Sequence, residues 1–517
     1  MARLQSKGIL RWLGVPWRRG APWRIGAPWR IGAPWRQWAA GWTALAVVSG
    51  CAVGPDYRKP PAEVPPEWQT PAPWHEAAPS DGALKGDWWS LFKDDTLNTL
   101  VARALAGNQN LRVAAARLEQ ARDQVTVVSS DLYPSVGLSA EADRGKSSAN
   151  RPLGAYSVPN QSIVQNNFVL GPTVNYEADL FGRVRREVQG ARATAQQAEA
   201  DFENTRLILT AELVTDYFAL RELDAEIQVV RHSLQLQGDA LGFITSRHDL
   251  GFATGLDLAQ QQALVDSSAT QLELLDNRRA QYEHAIATLV GTPAPGFAVA
   301  PTVIASPLPV IPVGLPSDLL QRRPDVASAE RAMAAANARI GVARAAYYPS
   351  IFLGAGFGEP NAGWQSNALA SLFSAPSRFW SIGLSATQTL FDAGKIRANV
   401  RIASADYSAE VATYRQTVLT AMEEVENGIT GLASLDRAVN HADAGVKSAQ
   451  DAFDIATARY KGGVDTYLEM ITAEQTLLSD QRQAVQVHGQ QFATAVYLVK
   501  ALGGGWKENS NRLSRAH

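Results

Sequence analysis

What the chain lacks narrows its function first. A single cysteine, Cys51, among 517 residues rules out an internal disulfide framework. The 7 histidines are scattered, so no metal-ligand spacing is present and no cofactor is expected. Catalytic constellations are incomplete. His75-Glu76 has Pro79 where a second zinc-binding histidine would stand, and Ser90-Leu91-Phe92-Lys93 fits Ser-x-x-Lys without its companion motifs. No apolar run is long enough for a spanning helix of about 20 residues. The uncharged stretch Trp38 to Gly50 is too short, and Pro301, Pro307, Pro309 and Pro312 break the apolar run in 292–316. With 46% hydrophobic and 19% charged residues the composition is that of an ordered protein, and a soluble enzyme is the plain alternative to beat.

The first 50 residues contain no acid but eight bases: Arg3, Lys7, Arg11, Arg18, Arg19, Arg24, Arg30 and Arg36. A basic region, a short apolar one and small residues form a secretory signal over 1–50. Val48-Ser49-Gly50 before Cys51 resembles the lipobox of bacterial lipoproteins, which implies lipid attachment at Cys51. Ala52 is not the aspartate that resembles an inner-membrane retention signal, so the outer membrane is favoured. Within the leader, Gly-Ala-Pro-Trp-Arg recurs after Arg19, Ile25 and Ile31, a repeat without an assigned role. Setting the eight bases aside leaves 40 against 50 acids, near −10, which argues against a nucleic-acid partner. Residues 51–90 are Pro-rich and read as an extended tether between lipid and body.

The body is a duplication. Residues 107–140 align without a gap on 322–355 at a shift of 215, placing Tyr133-Pro134-Ser135 on Tyr348-Pro349-Ser350. In each copy an Ala-rich helical pattern, in the first half running from Leu97 to Leu132, hands over at Pro-Ser to period-two alternation. Val136, Leu138, Ala140 and Ala142 alternate with Ser135, Gly137, Ser139, Glu141 and Asp143. Leu170, Val174, Tyr176 and Ala178 do the same, and so do Ile351, Leu353, Ala355 and Phe357. A fourth set is Trp380, Ile382, Leu384 and Ala386. The second half's connecting loop is read as Glu359 to Ser377. Strands with one apolar and one polar face fit a membrane barrel with a wet lumen. A soluble sandwich is the competitor for each hairpin taken alone.

Long helices follow each strand pair. Leu220, Leu223, Ile227, Val230 and Leu234 keep a coiled-coil spacing, as do Val418, Met422, Val425, Ile429 and Leu432. Roughly 60 residues would make a helix of about 90 Å. Each helix turns back at a matching glycine turn: Arg459 to Glu469 aligns on Arg247 to Asp257 at a shift of 212. The reading is therefore a first repeat over 91–291, a Pro-rich connector over 292–314, a second repeat over 315–503 and a tail over 504–517. Four strands per chain cannot close a barrel, and an open edge in lipid is costly. Three chains would supply twelve strands, so the expected fold is an α+β membrane protein. The geometry itself calls for an oligomer, with twelve strands enough to close a barrel and leave a channel.

Cys51 to Tyr57, Trp88-Trp89 with Phe92, Leu315 to Asp325, Tyr348-Pro349-Ser350 and Arg459-Tyr460-x-x-Gly463 together resemble the TolC-type outer-membrane efflux family, in its lipoprotein branch. The resemblance implies a homotrimeric exit duct: a trimeric 12-stranded outer-membrane β-barrel, four strands per chain, continued by a long α-helical periplasmic barrel. It also implies a periplasmic adaptor and an inner-membrane resistance-nodulation-division pump as partners. Type I protein secretion, served by the same fold, is the alternative. Adaptor-contacting tips would involve Gly251, Thr254, Gly255, Leu256, Gly463, Val464 and Leu468. The closed periplasmic gate would involve Arg459, Tyr460, Asp465, Glu469 and Asp257. Close relatives carry an aspartate twelve residues after the Arg-Tyr tyrosine, where this chain has Thr472. Arg459 and Tyr460 are therefore expected to lean on Asp465 or Glu469. Helix-start carboxylates that merely favour the helix dipole are the plainer reading of the same acids.

Overall fold

The two halves are built from pieces of matching length. The computed structural model describes residues 52–61, 68, 86–150, 162–303, 308–309, 311, 322–354 and 360–504. A 3-10 turn, Trp88–Phe92, and α1 (Asp95–Gly107) open the first half. Then come α2 (Gln109–Ser130), β1 (Ser135–Lys146), β2 (Val164–Glu177), α3 (Arg183–Asp249) and α4 (Gly255–Leu289). The second half runs α5 (Pro324–Ala345), β3 (Ser350–Gly354), β4 (Ala362–Ser366), β5 (Arg378–Trp380), β6 (Gly383–Thr387), α6 (Lys395–Lys461) and α7 (Tyr467–Ala501). Helices α2 and α5 have 22 residues each, α3 and α6 have 67, and α4 and α7 have 35.

At 67 residues, α3 and α6 are each about 100 Å long, longer than the roughly 60 residues expected. Leu220, Leu223, Ile227 and Val230 of α3 are buried, as are Val418, Val425, Ile429 and Leu432 of α6. The heptad spacing thus marks the packed seam. Midway along the bundle Phe218 stacks on Phe492 at 4.8 Å and tilts against Phe92 at 4.7 Å, with Trp88, Tyr217 and Met333 buried around them. Each such side chain, fully buried, contributes about 1.5–3 kcal/mol.

The hairpins are asymmetric because a 35-residue helix returns along a 67-residue one. Each short helix is extended by a second helix that meets it end to end. The Asn108 amide donates to the Leu289 carbonyl at 2.9 Å, and the Arg323 guanidinium donates to the Ala501 carbonyl at 3.0 Å. The two donors differ by 215 in number and the two acceptors by 212, the offsets of the repeat. Gly291 (φ +75) and Gly503 (φ +86) make both junctions possible. A Cβ on either would lie 2.3 Å from the Gly107 carbonyl or 2.2 Å from the Arg322 carbonyl. The helical pattern from Leu97 to Leu132 is accordingly two helices, broken where Asn108 turns extended to cap α2 through Leu111.

Among the described residues, six strand segments occupy four positions. β1 pairs with β2 along its full length, β2 pairs with β3 over 175–177 and with β4 over 168–170, and β6 and β5 continue outward from β3 and β4. β3 with β4 is one interrupted strand, and β5 with β6 is another. All pairings are antiparallel. The stretch expected as a loop over Glu359 to Ser377, of which Glu359 lies outside the described residues, therefore contains β4. Gly171 and Gly363 (φ +148) let the backbones touch at the interruption. Among the described residues, β1 and the β5–β6 strand are the free edges of the sheet.

The stretch expected as a tether is docked where it is described. Arg186, nearly buried, donates to the carbonyls of Val53 and Gly54 at 3.3 Å and to the Asp56 carboxylate at 2.9 Å. Asn337 holds the Pro55 carbonyl at 3.0 Å, and Lys59 pairs with Glu330 at 2.6 Å. Residues 52–61 thus run along α5 away from the sheet. The connector is clamped too. Buried Asp224 accepts from Arg221 and Arg279, both at 2.6 Å, and from the Thr302 amide at 3.1 Å. Those arginines hold the carbonyls of Ala300 and Val299. A carboxylate buried at this level requires such partners.

Candidate functional site

Two ends of the molecule carry the chemistry: the sheet and the hairpin tips. On the sheet, register puts the apolar rows on one face. Val136 lies opposite Val174, Ala140 opposite Leu170, Tyr176 opposite Leu353, and Leu353 opposite Leu384. The other face is polar and internally bonded: Asn167 donates to Asp143 at 2.9 Å and accepts from Gln365 at 3.0 Å. Among the described residues no helix is long and apolar enough to cross a membrane. An apolar face on the sheet is thus the feature that fits hydrocarbon.

At the far end each long helix stops in the same six-residue closure. The Gly251 amide donates to His248 and that of Phe252 to Arg247; the Gly463 amide donates to Tyr460 and that of Val464 to Arg459. Gly251 and Gly463 take φ +77 and +72, the left-handed position that ends a helix. Leu250, Phe252, Leu256, Val464 and Leu468 stand exposed around the two turns. Thr254 and Gly255 are exposed there as well, as the cap and first residue of α4.

The gate candidates fall into three settings. Asp257 closes a capping box: its carboxylate accepts from the Thr254 amide and hydroxyl at 2.9 Å, and its amide donates back to Thr254 at 3.2 Å. Asp465 accepts from the Thr466 amide and the Arg459 guanidinium, both at 2.9 Å, which hold its carboxyl below the usual carboxylate range. Arg459 thus leans on Asp465, not on Glu469, which sits exposed in the first turn of α7. Tyr460 leans on neither acid. It is buried edge-on against Tyr467 at 5.5 Å, with the Arg247 guanidinium 5.2 Å above its ring. Burial pushes its phenol up and Arg247 opposes that. The exposed Thr472 hydroxyl donates to the Leu468 carbonyl at 2.7 Å. Cys51 lies outside the described residues.

A polar layer behind the tip escaped the sequence reading. Buried Gln237 of α3 donates to Ser233 at 3.0 Å, buried Gln261 of α4 donates to the Gln237 carbonyl at 2.8 Å, and Tyr467 of α7 donates to Gln261. Glu474, 5% exposed, completes it, and burial pushes its carboxyl from 4.5 up to about 7, partly offset by Gln237. The Gln237 side-chain oxygen is buried without a donor. The signal was available: continuing the spacing of Val230 and Leu234 lands on Gln237, a polar residue in an apolar register.

Known proteins share this architecture. A family profile described as "Outer membrane efflux protein" matches residues 100–292 and 315–504. The probable efflux pump outer membrane protein TtgC of Pseudomonas putida is 31% identical over 473 residues, covering 91% of this chain and 96% of its own. The pyoverdine export outer membrane protein OpmQ of Pseudomonas aeruginosa is 30% identical, covering 92% and 98%. The solved outer-membrane channel OprN superposes with a TM-score of 0.81 at 32% identity, over 89% of this chain and 100% of that one.

Proposed function

The chain belongs to the outer membrane efflux protein family, and from that membership we propose that it is the outer-membrane exit duct of a tripartite efflux system. Drugs or other small molecules pass through it passively from an adaptor and pump to the exterior. The observation that carries this reading is how the sheet ends: four antiparallel strand positions, two free edges, and α3 and α6 leaving directly from the strands. Backbone groups left unpaired in hydrocarbon cost several kcal/mol each. Three copies would join edge to edge into twelve strands around an open lumen lined by Asp143, Asn167 and Gln365. The duct performs no chemical step, and its energy comes from an inner-membrane resistance-nodulation-division pump.

A periplasmic adaptor meets the tips, where exposed Phe252, Leu256, Val464 and Leu468 offer apolar contact. Arg459, Asp465 and the Tyr460–Tyr467 pair keep the periplasmic end narrow. Cys51 carries lipid: Ala52, the next residue, packs at Gly182 where the sheet hands over to α3, so acyl chains on Cys51 would enter the membrane level with the barrel. Protein purified in detergent and added to planar bilayers tests the reading. Discrete ion conductance is expected, together with three chains per particle by detergent-corrected light scattering. A monomer without conductance overturns it.

A further inference from the structure

Charge on the sheet is sorted by face. The described strands carry six charged residues: Glu141, Asp143, Arg144 and Lys146 on β1, Glu177 on β2 and Arg378 on β5. Side chains alternate along a strand. Glu141 and Asp143 thus point away from Ala140 and Ala142, and Glu177 away from Tyr176, which puts all three acids on the polar face. The three cations share the apolar face. Arg144 and Lys146 continue the row of Leu138, Ala140 and Ala142, and Arg378 lies opposite Trp364, itself opposite Leu170. A cation facing hydrocarbon is costly at the midplane of a bilayer and nearly free at its boundary. Ser135 and Thr387 mark the end where these strands meet the helices, and Arg144 and Arg378 each stand nine residues from it. At about 3.4 Å per residue and a tilt near 40°, that climbs about 23 Å, close to the roughly 25 Å height of a barrel's apolar band. The repeat offset of 212 places Arg378 on Asn166, the residue opposite Arg144, so the two arginines share one level. Lys146 stands one step further out.

The two boundaries treat their cations differently. At the helix end Arg183 is paired with Glu177 and Glu187, and Arg185 with Asp179. At the outer rim the acids lie on the wrong face of the sheet, and Asp143 is already held by Asn167. Arg144, Lys146 and Arg378 are exposed, and among the described residues none of them pairs with a carboxylate. One step inside Arg378 on the same face stands Trp380, 79% exposed, and beside it Trp364 meets Phe373 edge-on at 5.5 Å. Rings beneath cations are the order of a headgroup boundary. We propose that Arg144, Lys146 and Arg378 bind the phosphate groups of the phosphorylated glycolipid that forms the outer leaflet. Each guanidinium takes phosphate oxygens in pairs, and the ammonium acts as a point charge. The glycolipid is the occupant, rather than a phospholipid of the inner leaflet, because the cations stand at the end opposite the helices. Protein cations here replace the divalent ions that bridge neighbouring glycolipids, so the contact should survive chelation and weaken with salt. The site goes beyond the duct reading and needs only the outer-membrane placement of the family.

Particles of the full-length chain in a neutral detergent, titrated with diphosphoryl lipid A and read by native mass spectrometry, test the site. The wild type should bind the dephosphorylated lipid about tenfold more weakly, or worse, than the diphosphoryl form. Arg144→Gln with Lys146→Gln and Arg378→Gln should lose the same factor while ion conductance in planar bilayers persists. Arg112→Gln with Arg437→Gln and Lys447→Gln removes the same charge from exposed helix positions and should bind as the wild type does. Equal affinity of the wild type for the two lipids overturns the site, leaving attraction through acyl chains only, and that comparison needs no variant. An equal loss in both triple variants overturns it in favour of net charge. Equal affinity for phosphatidylglycerol overturns the glycolipid as the occupant. Particles that discriminate between the lipids as expected but do not conduct would support this site and overturn the duct.

Discussion

The two hairpin tips share a backbone and differ in what holds their side chains. At the α3–α4 tip, Thr254 and Asp257 satisfy each other, so the turn is closed by its own helix. At the α6–α7 tip, Thr466 occupies the same position without a side-chain cap bond. Closure there comes from Arg459 on Asp465 and from Tyr460 and Tyr467, which reach Arg247 of α3 and Gln261 of α4. The first tip is locally stable; the second ties the two hairpins together. A glycine turn fixes where a helix ends, and side chains then decide whether that end is independent or coupled.

The largest effect is expected at the coupled tip. Tyr467→Ala removes a buried ring and should cost about 3–5 kcal/mol. Amide exchange over 244–264 and 460–477 should accelerate at least a hundredfold, and closed-state conductance should rise. Unchanged exchange at the first hairpin would mean the tips are not coupled through this ring. The next effect is a pH dependence. Glu474 is raised from 4.5 to about 7, so the packing of α7 on α3 is fully stable below about 4.5 and loses stability as pH rises through 7. The loss is on the order of 3 kcal/mol. Protease sensitivity of the tip should increase between pH 5 and 8, and Glu474→Gln should abolish that dependence, the neutral amide keeping the tip closed.

Smaller effects separate the turns themselves. Thr254→Ala should destabilise the first hairpin by about 1 kcal/mol, whereas Thr466→Ala should leave the second almost unchanged by the same exchange measurement. Equal effects would erase the distinction between the two tips. The smallest belongs to Arg459→Ala, because an exposed ion pair is screened by salt. Its influence should vanish in thermal unfolding at high salt. The lowered Asp465 makes the pair's contribution present above the usual carboxylate range and lost only as pH falls below it. It should survive in bilayer recordings as a modest rise in closed-state conductance.

Much of this was legible in the chain. Two constant offsets, 215 and 212, mark the duplicated helices and turns, because Tyr-Pro-Ser and Arg-x-x-x-Gly sit where the backbone must change direction. The four strand positions were legible from alternation, but their breaks were not. Trp364 and Gln365 read as loop because the interruption between β3 and β4 resets the period. The Glu474 layer was missed because a carboxyl among glutamines looks like solvent-facing sequence until three helices bury it. Docking of residues 52–61 was hidden for a related reason: proline suggests extension, and nothing local shows that Arg186 waits 130 positions away.

The two end-to-end junctions, at Gly291 and Gly503, carry a mechanical consequence. Each lies one 35-residue helix from its tip, about 52 Å. The short helix is therefore a lever with its fulcrum at a glycine, laid beside a long helix that has no break. Each degree of tilt at the fulcrum displaces the tip by about 1 Å, by the geometry of a 1.5 Å rise per residue. A shift at the glycine too small to disturb the aromatic core would thus change the aperture by the width of a water molecule or more.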